Sequence, residues 1–161
     1  MIKRILQFII RYYWKLVYQS YRRQYQLSNK FKFNGHGTIF YGNGNIQIGD
    51  KSYLGRGCYI QAVLGYSVKI GKNCAISHRV SIYTQNRLAD QDMMSDIIER
   101  RAGDVLIGDG CWIGMGVFIK EGVTIGKNVV IGANSVVVKD LPDNAIAAGI
   151  PAKILRTKAI N

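Results

Sequence analysis

The sequence has few of the residues that disorder, metal binding or a disulfide framework would require. It contains only two prolines and no low-complexity tract, which argues against intrinsic disorder. Its three cysteines cannot all pair within one chain, and no CxxC motif is present. His36 and His78 are its only histidines, too few for a three-histidine metal centre. We therefore expect no resident metal and a reducing, cytoplasmic environment.

Acidic residues are missing from the first part of the chain. Residues 1–49 contain eight lysines or arginines and no acid, and the first acidic residue is Asp50. The formal net charge of +12 therefore belongs mostly to this segment. A basic segment can bind nucleic acid or an anionic membrane. Because aromatic residues lie between these cations, the pattern favours a membrane surface, and we expect no nucleic-acid partner.

Residues 1–27 contain no glycine or proline and are predicted to form a basic amphipathic helix. The apolar residues that share one helical face are Ile2, Ile5, Leu6, Ile9, Tyr13, Leu16 and Val17. Its uncharged runs, such as residues 5–10, are no longer than six residues and too short to span a bilayer, and no small-residue cleavage site marks a signal peptide. Two interpretations stay open. The helix anchors the protein in the plane of an anionic membrane, at its cytoplasmic face, or it covers an open solenoid end or a partner subunit.

The larger part of the chain follows a six-residue period. An aliphatic residue returns at every sixth position from Ile107 to Val137, and a smaller residue follows four positions later, from Cys111 to Ser135. A strict period of six fits neither a helix nor simple strand alternation, and it is typical of a parallel β-helix. The aliphatic side chain is expected to point inward, and the glycine that usually follows it lets the chain bend sharply. The same ladder occurs earlier, at Ile48, Leu54, Ile60, Ile70, Ile76 and Ile82.

Two interruptions divide the repeats into blocks. An insertion at residues 62–68 shifts the phase, and the ladder stops between Ile82 and Val105. The second interruption is long for an unstructured connection, which favours a functional loop; within it, residues 95–101 are expected to form a short helical turn. Cys58, Cys74 and Cys111 fall at the small inward position of a hexad, so they are predicted to be buried and reduced.

The predicted fold is an all-β solenoid with an N-terminal amphipathic α-helix and one long extruded loop. We divide the chain into a helix and linker at residues 1–33, a β-helix at residues 34–158 with an extruded loop at 83–104, and a tail at 159–161.

Beyond the repeats, three segments carry a resemblance: WIG at residues 112–114, VVVKDLPDN at 136–144 and AGIPAKILR at 148–156. With the hexads, they closely resemble the hexapeptide-repeat acyltransferases, in the branch that O-acetylates sugars. The resemblance covers roughly Asn34 to Lys158. It implies a left-handed parallel β-helix, a homotrimer with active sites in clefts between subunits, and acetyl-CoA as the donor. The left hand comes from the resemblance alone, since crossovers in parallel sheets are normally right-handed.

Acyl transfer to a hydroxyl needs a general base, and histidine is the natural base near neutral pH. His78 lies two residues past the inward Ile76, so it should sit on a coil corner and point outward. Maltose-type members carry their base at a loop position that aligns with Arg87, and arginine stays charged. Sugar N-acetyltransferases place their histidine on the corner that His78 occupies. We therefore predict that His78 is the base, the alternative being a corner histidine in a trimer contact. The loop carboxylates that could orient it or bind sugar hydroxyls are Asp90, Asp92, Asp96 and Glu99.

The remaining site predictions concern the two substrates. The residues predicted to contact the acceptor are Tyr83, Asn86 and Arg87, the last because arginine can grip a phosphate or a carboxylated sugar. By resemblance, the pantetheine arm of CoA lies along Trp112, Gly114, Met115 and Ala133. By the same resemblance, the adenosine end, whose phosphates need cations, is met by Val138, Lys139, Lys153 and Arg156.

The sequence thus predicts an acetyl-CoA-dependent O-acetyltransferase acting on a sugar hydroxyl in the synthesis of a bacterial surface polysaccharide. Transfer is expected to be direct, without an acyl-enzyme, onto a sugar or oligosaccharide that a lipid carrier could hold. One alternative is N-acetylation of an amino sugar on a nucleotide carrier. Another is a non-enzymatic β-helix that docks to a membrane or a partner. The missing loop histidine supports the docking alternative, and the CoA-end motif argues against it.

Overall fold

The computed structural model describes residues 2–159, so Met1 of the predicted helix and residues 160–161 of the predicted tail lie outside it. One helix, α1 (Ile2–Gln24), precedes a series of short strands. The strands are β1 (Gln26–Leu27), β2 (Lys32–Phe33), β3 (Ile39–Tyr41), β4 (Asn45–Ile48), β5 (Tyr53–Leu54), β6 (Tyr59–Gln61), β7 (Ser67–Ile70), β8 (Ala75–Ile76), β9 (Ser81–Tyr83), β10 (Gln85–Arg87), β11 (Arg100–Ala102), β12 (Val105–Ile107), β13 (Trp112–Ile113), β14 (Phe118–Ile119), β15 (Thr124–Ile125), β16 (Val130–Ile131), β17 (Val136–Val137), β18 (Ala145–Gly149) and β19 (Ala152–Thr157).

Successive strands fall into three parallel sheets. Sheet A contains β1, β4, β7, β12 and β15; sheet B contains β2, β5, β8, β13, β16 and β18; sheet C contains β3, β6, β9, β14 and β17. Strand β19 pairs antiparallel with β18 at the end of sheet B. Each coil contributes one strand to each sheet, and we number coils 1 to 5 by their sheet A strands. The corners between the sheets are called corner AB, corner BC and corner CA. The protein is therefore a left-handed parallel β-helix of about five turns with an N-terminal helix, as the sequence predicts.

The aliphatic ladder forms the core. Ile113 of coil 4 pairs in register with Ile76 of coil 3 and Ile131 of coil 5, and all three are at most 1% exposed. Burying one such side chain contributes roughly 1.5–3 kcal/mol, and the strict period keeps every one of them on the inside. The three cysteines are also buried and free, which confirms the prediction for them. Burial raises the pKa of Cys58 to about 11.

Glycine is required after the ladder residues because the next coil leaves no room there for a side chain. The expectation that these glycines let the chain bend is wrong. The φ angle of Gly126 lies outside the left-handed region, but a Cβ there would lie 2.3 Å from Asp143 Oδ1 and 2.5 Å from Asp143 N in the next coil. The bends use other residues in left-handed conformation, such as Gly122 (φ +78°) and Asn128 (φ 56°).

Aspartates connect successive coils at their corners. Asp109 Oδ1 accepts the Lys72 N–H and Asp143 Oδ1 accepts the Lys127 N–H, each at 2.7 Å. Two further contacts of this kind, also at 2.7 Å, link Asp104 with Ser67 N and Asp140 with Thr124 N. These carboxylates satisfy backbone donors that a strand does not pair, so they hold the solenoid together.

The solenoid begins earlier than the sequence predicts. Strand β1 pairs with β4 and β2 pairs with β5, so the first coil starts at Gln26 where residue 34 was expected. Correspondingly, α1 ends at Gln24, before the predicted residue 27. The hexad pattern does not show this coil because its inward residues are the large side chains of Phe31 and Phe40.

The second half of α1 covers the open end of the first coil. The Tyr18 ring stacks on Phe33 at 3.9 Å between centroids, and the Tyr21 ring stacks on Phe40 at 4.8 Å. The Tyr18 hydroxyl donates to Gly35 O at 2.8 Å, and burial raises its pKa. Within residues 2–159, no helix is long and apolar enough to cross a membrane.

The long excursion is a β-hairpin. Strands β10 and β11 pair antiparallel, with Asn86 opposite Arg101 and Arg87 opposite Arg100. The prediction of a helical turn at residues 95–101 is wrong, because residues 95–97 form bends and Arg100 already belongs to β11. The excursion leaves and rejoins the same corner, so its two ends lie side by side and pair as strands.

The two kinds of glycine differ in what alanine would cost. We expect Gly126→Ala to lower the free energy of unfolding by about 3 kcal/mol, because its methyl group would overlap the next coil. Gly122→Ala, whose Cβ would meet nothing within 4 Å, should lose only about 1–2 kcal/mol through its left-handed φ. Urea denaturation at matched protein concentration measures both. Equal losses would contradict the explanation by lack of space.

Candidate active site

The candidate site lies along corner BC, where one residue from each coil forms a continuous edge. His36, Arg56, His78, Met115 and Ala133 occupy this corner in coils 1 to 5. Backbone hydrogen bonds join the levels: His36 O accepts at 3.0 Å from coil 2, and His78 O accepts at 2.9 Å from coil 4. Neighbouring corner residues are therefore about 4.8 Å apart along the edge.

A cavity of about 510 Å³ opens at the middle of this edge. The residues that line it are Arg56, Gly57, Tyr59, His78, Arg79 and Met115. His78 is exposed on its corner, as the sequence predicts. Arg79 Nη2 lies 3.5 Å from Met115 Sδ, so its guanidinium crosses one side of the cavity. Arg56 and Arg79, which sequence reasoning missed, are thus immediate neighbours of His78.

The His78 imidazole is held by the backbone of the coil before it. His78 Nδ1 accepts the Arg56 N–H at 2.8 Å. The ring fits there because residue 55 is glycine, whose Cβ would lie 2.7 Å from Nδ1. A backbone N–H can only donate, so Nδ1 carries no proton and the neutral ring has its proton on Nε2. In this orientation Nε2 is a hydrogen-bond donor, and a base role requires the ring to release the Arg56 amide.

The carboxylates predicted as partners of His78 lie elsewhere. Asp90, Asp92, Asp96 and Glu99 belong to the hairpin that leaves corner CA. In the described part of the chain, the cavity around His78 has no acidic lining residue. Within one chain, sheet C separates these carboxylates from His78, so their role toward His78 or toward sugar hydroxyls stays a prediction.

Several residues predicted for CoA continue the edge beyond His78. Met115 and Ala133 follow it in coils 4 and 5, and Gly114, which precedes Met115, is buried. A Cβ on Gly132 would lie 2.9 Å from the Ala148 Cβ, and Ala148 pairs with Lys153. Lys153 therefore lies past the end of the same edge, on the side away from coil 1.

Trp112 and Arg156 share the outer face of sheet B. Trp112 is 56% exposed and faces outward, as the sequence predicts. It pairs with Val130, Val130 pairs with Ile146, and Ile146 pairs with Arg156, so the four form one row across the sheet. An indole and a guanidinium therefore flank the edge from one side.

The other predicted site residues lie at corner CA. Tyr83 ends β9, Asn86 and Arg87 open the hairpin, and Val138 and Lys139 end coil 5 on this corner. From His78 to Tyr83 the chain crosses sheet C, a distance of about 16 Å at about 3.3 Å per residue. One chain alone therefore does not bring this group to His78.

The base of the hairpin is fixed by a buried acid that the sequence analysis missed. Asn86 Nδ2 donates to Glu121 Oε2, and Glu121 Oε1 lies 3.2 Å from Lys120 Nζ. Tyr83 packs edge-on against Phe118 at 5.4 Å between centroids. The signal was present in the sequence, because Lys120 replaces the glycine that follows a ladder residue in the neighbouring hexads.

The donor set gives no indication of a metal. Across residues 2–159, no group of three or more histidine, cysteine, aspartate or glutamate side chains could hold a metal ion. The edge instead offers a histidine, a thioether and cations, which suit an extended organic ligand that carries phosphate.

The repeats and most of the chain match known proteins. Residues 104–139 match the family model for the bacterial transferase hexapeptide (six repeats), and residues 45–78 match that for the hexapeptide repeat of succinyl-transferase. The chain is 39% identical over 112 residues to galactoside O-acetyltransferase of Escherichia coli (strain K12), covering 67% of this chain and 55% of that protein. It is 32% identical over 130 residues to WbbJ of the same organism, named as a candidate O-acetyl transferase of lipopolysaccharide biosynthesis, covering 76% of this chain and 62% of WbbJ.

A solved structure extends the match to three dimensions. The hexapeptide-repeat-containing acetyltransferase from Vibrio cholerae O1 biovar eltor, complexed with acetyl-CoA, superposes with a TM-score of 0.65 and 31% sequence identity. The alignment covers 80% of this chain and 72% of that one. The chain spans 55% and 62% of the two Escherichia coli relatives. Since repeat, fold and sequence agree over most of its length, this chain belongs to the hexapeptide-repeat acetyltransferase family.

Proposed function

We propose that the protein is an acetyl-CoA-dependent O-acetyltransferase that acetylates a sugar hydroxyl in the synthesis of a bacterial surface polysaccharide. The observation that carries the proposal is the edge of corner BC, on which His78, Met115, Ala133 and Lys153 succeed one another. A linear ligand along this edge would have its thioester near His78 and its phosphates near Lys153, where charge-assisted hydrogen bonds are strong. The acetyl-CoA in the Vibrio relative and the names of the two Escherichia coli relatives support this assignment.

We propose that the complete site forms between copies of the chain in a homotrimer. The residues of corner CA chosen for the substrates are Tyr83, Asn86, Arg87, Val138 and Lys139, and within one chain they lie across sheet C from His78. Corner CA of one copy placed beside corner BC of the next would join the two groups. Arg87 would then contact the acceptor, and Lys139 would reach the adenosine end of CoA.

His78 is the group we assign to proton transfer. Its ring would turn about the Cβ–Cγ bond, release the Arg56 amide and direct Nδ1 at the acceptor hydroxyl; catalytic hydrogen bonds often form only with substrate bound. As Nδ1 takes the proton, the sugar oxygen attacks the thioester carbonyl carbon and the C–S bond breaks. The CoA thiolate leaves and takes up the proton from the imidazolium. The acetyl group ends on the sugar, and no acyl-enzyme forms.

A second candidate function is N-acetylation of an amino sugar. The observation that favours it is the position of His78 on a coil corner, where the N-acetyltransferases that this chain resembles place their histidine. Turnover of an amine against a matched hydroxyl acceptor separates the two. A non-enzymatic docking β-helix is the third interpretation. Binding of acetyl-CoA would argue against it, and absence of binding would favour it.

We further propose that the protein works at the cytoplasmic face of the cell membrane. The apolar stripe of α1 is uncovered, with exposures of 48–81% for Ile2, Ile5, Leu6, Ile9, Tyr13 and Leu16. Ile9 and Tyr18 are nine positions apart, so their side chains lie on opposite sides of the helix. The stripe therefore points away from the β-helix that Tyr18 contacts. Lys3 and Lys15 lie toward its two borders and suit anionic lipids.

Acetyl-CoA binding tests the enzymatic assignment. We expect wild-type protein to bind acetyl-CoA in calorimetry, and a ligand at a hundredfold its Kd stabilises a fold by about 2.7 kcal/mol. Lys153→Ala/Arg156→Ala should bind it at least about tenfold more weakly, because each lost cation leaves a phosphate without a charged partner. Lys69→Ala/Lys127→Ala, with the same charge change on the sheet A side, is the control. No binding at millimolar acetyl-CoA would remove the enzymatic proposal.

The role of His78 is tested by two substitutions of similar size. His78→Asn keeps a side-chain oxygen that can accept the Arg56 amide, and His78→Gln places an N–H donor where Nε2 lies. If His78 is the base, both variants should lower the transfer rate by about 10²–10⁴-fold and leave the acetyl-CoA Kd unchanged. Activity retained in His78→Gln alone would show that Nε2 acts as a donor and would reject the base assignment.

Membrane binding is measured by co-sedimentation of the full chain with vesicles. We expect binding to phosphatidylglycerol-containing vesicles and little binding to pure phosphatidylcholine, since both the apolar stripe and the charge contribute. Ile5→Ser/Ile9→Ser should lose binding, whereas Leu64→Ser/Met94→Ser removes exposed apolar side chains elsewhere and should not. Equal binding of both variants would refute the membrane role of α1.

A further inference from the structure

A cleft lined by arginines lies on the coil 1 side of His78. One face of α1 supplies Arg4, Gln7, Phe8 and Arg11, at the spacing of a single helical stripe. Across a space of about 570 Å³ they face His36 and Arg56 of corner BC. Arg56 also lines the cavity around His78, so the two spaces share a wall. We call the space between α1 and corner BC the arginine cleft.

The positive charge of the arginine cleft is not balanced by the protein. Its guanidinium groups belong to Arg4, Arg11 and Arg56, and all three residues are exposed. None of its lining residues is acidic in the region the structure covers. The salt bridges found among residues 2–159 are Lys30–Asp50 and Lys120–Glu121, which lie elsewhere. Like charges gathered in one cleft repel each other, and an anion bound between them would remove that repulsion.

The helix holds its arginines in this position by its anchored second half. Arg4, Arg11 and Tyr18 lie seven residues apart and so share one side of α1. Tyr18 is fixed to the first coil by its stacking on Phe33 and its hydrogen bond to Gly35. Because α1 is continuous from Ile2 to Gln24, this anchor directs Arg4 and Arg11 toward corner BC while the apolar stripe faces the other way.

The arginine cleft is separate from the cations assigned to CoA. Along corner BC the order is His36, Arg56, His78, Met115 and Ala133, and Lys153 follows beyond coil 5. CoA placed on the far side of His78 leaves the arginine cleft on the acceptor side. His36 and His78 are two coils apart, about 10 Å, which leaves room for a sugar ring between a bound anion and the imidazole.

We propose that the arginine cleft binds the diphosphate of the acceptor, so that the acceptor is a sugar joined directly to a diphosphate. This inference rests on the proposed function and names its substrate class. Guanidinium groups bind phosphate oxygens in bidentate pairs, and several around one cleft suit a group with two adjacent phosphates. The carrier beyond the diphosphate is a nucleoside or a lipid. Phe8 and Ile10 line the cleft next to the arginines, and either carrier presents the same diphosphate to them.

The test measures anion binding by calorimetry at fixed ionic strength, with inorganic pyrophosphate as the first probe. Wild type should bind it, and Arg11→Gln/Arg56→Gln should bind it about tenfold more weakly or worse, because two charge-assisted contacts are lost. Lys69→Gln/Lys127→Gln removes the same charge on the sheet A side and should bind like wild type. Acetyl-CoA should bind all three proteins equally and should not compete with pyrophosphate.

Two further probes distinguish the carriers. Uridine diphosphate represents a nucleoside carrier and geranyl diphosphate a lipid carrier, each compared with pyrophosphate on the same variants. A gain in affinity for either one that depends on Arg11 and Arg56 supports the proposal and identifies the source of the diphosphate. No arginine-dependent binding of any of the three probes overturns it.

Two other outcomes also overturn the proposal. If pyrophosphate competes with acetyl-CoA and its binding is lost in Lys153→Ala/Arg156→Ala, the anion occupies the CoA site. If Arg11→Gln/Arg56→Gln weakens binding to phosphatidylglycerol vesicles but leaves diphosphate binding unchanged, the arginines serve the membrane surface. Failure of the proposed function is distinguishable from both, because wild-type protein would then fail to bind acetyl-CoA itself.

Discussion

The whole structure depends on the close stacking of one coil on the next. Strands of successive coils are about 4.8 Å apart, and at residues such as Gly126 that spacing leaves no room for a Cβ. The same spacing stacks Ile76, Ile113 and Ile131 in register inside the β-helix. A repeat of six with a small residue after each aliphatic is the sequence that satisfies both requirements. Aspartates at the corners complete it by accepting backbone N–H groups between levels.

Stacking also decides where function can be located. Side chains inside the β-helix are fully packed, so chemistry is confined to corners and outer faces. Corner BC carries His36, Arg56, His78, Met115 and Ala133 in a line, although as many as 37 positions separate neighbours on that line in the sequence. The line has polarity: arginines lie on the coil 1 side of His78, and Lys153 lies past coil 5. Two anionic ligands approaching the imidazole from opposite ends would be separated by this arrangement.

The two sides of the N-terminal helix present different residues. Tyr18 and Tyr21 pack on aromatic residues of the first coil, Arg4 and Arg11 extend that side past corner BC, and the apolar stripe around Ile9 faces away. Because α1 is anchored through its second half, its exposed first half is held in place without contacts of its own. In our proposal this brings bilayer, diphosphate and sugar to the same edge of the protein.

The sequence by itself determined the fold class, the inward ladder, the buried cysteines and the outward placement of His78 and Trp112, because a strict period fixes which way each residue faces. It did not show the first coil, whose inward positions hold Phe31 and Phe40, nor the hairpin, which has no repeat. Only the tertiary structure decided that Tyr83 and Arg87 lie a full sheet away from His78, and that Arg56 is its neighbour. The physical reason is that a coil consumes a variable number of residues, so distance along the chain does not give the corner or the level that a residue occupies.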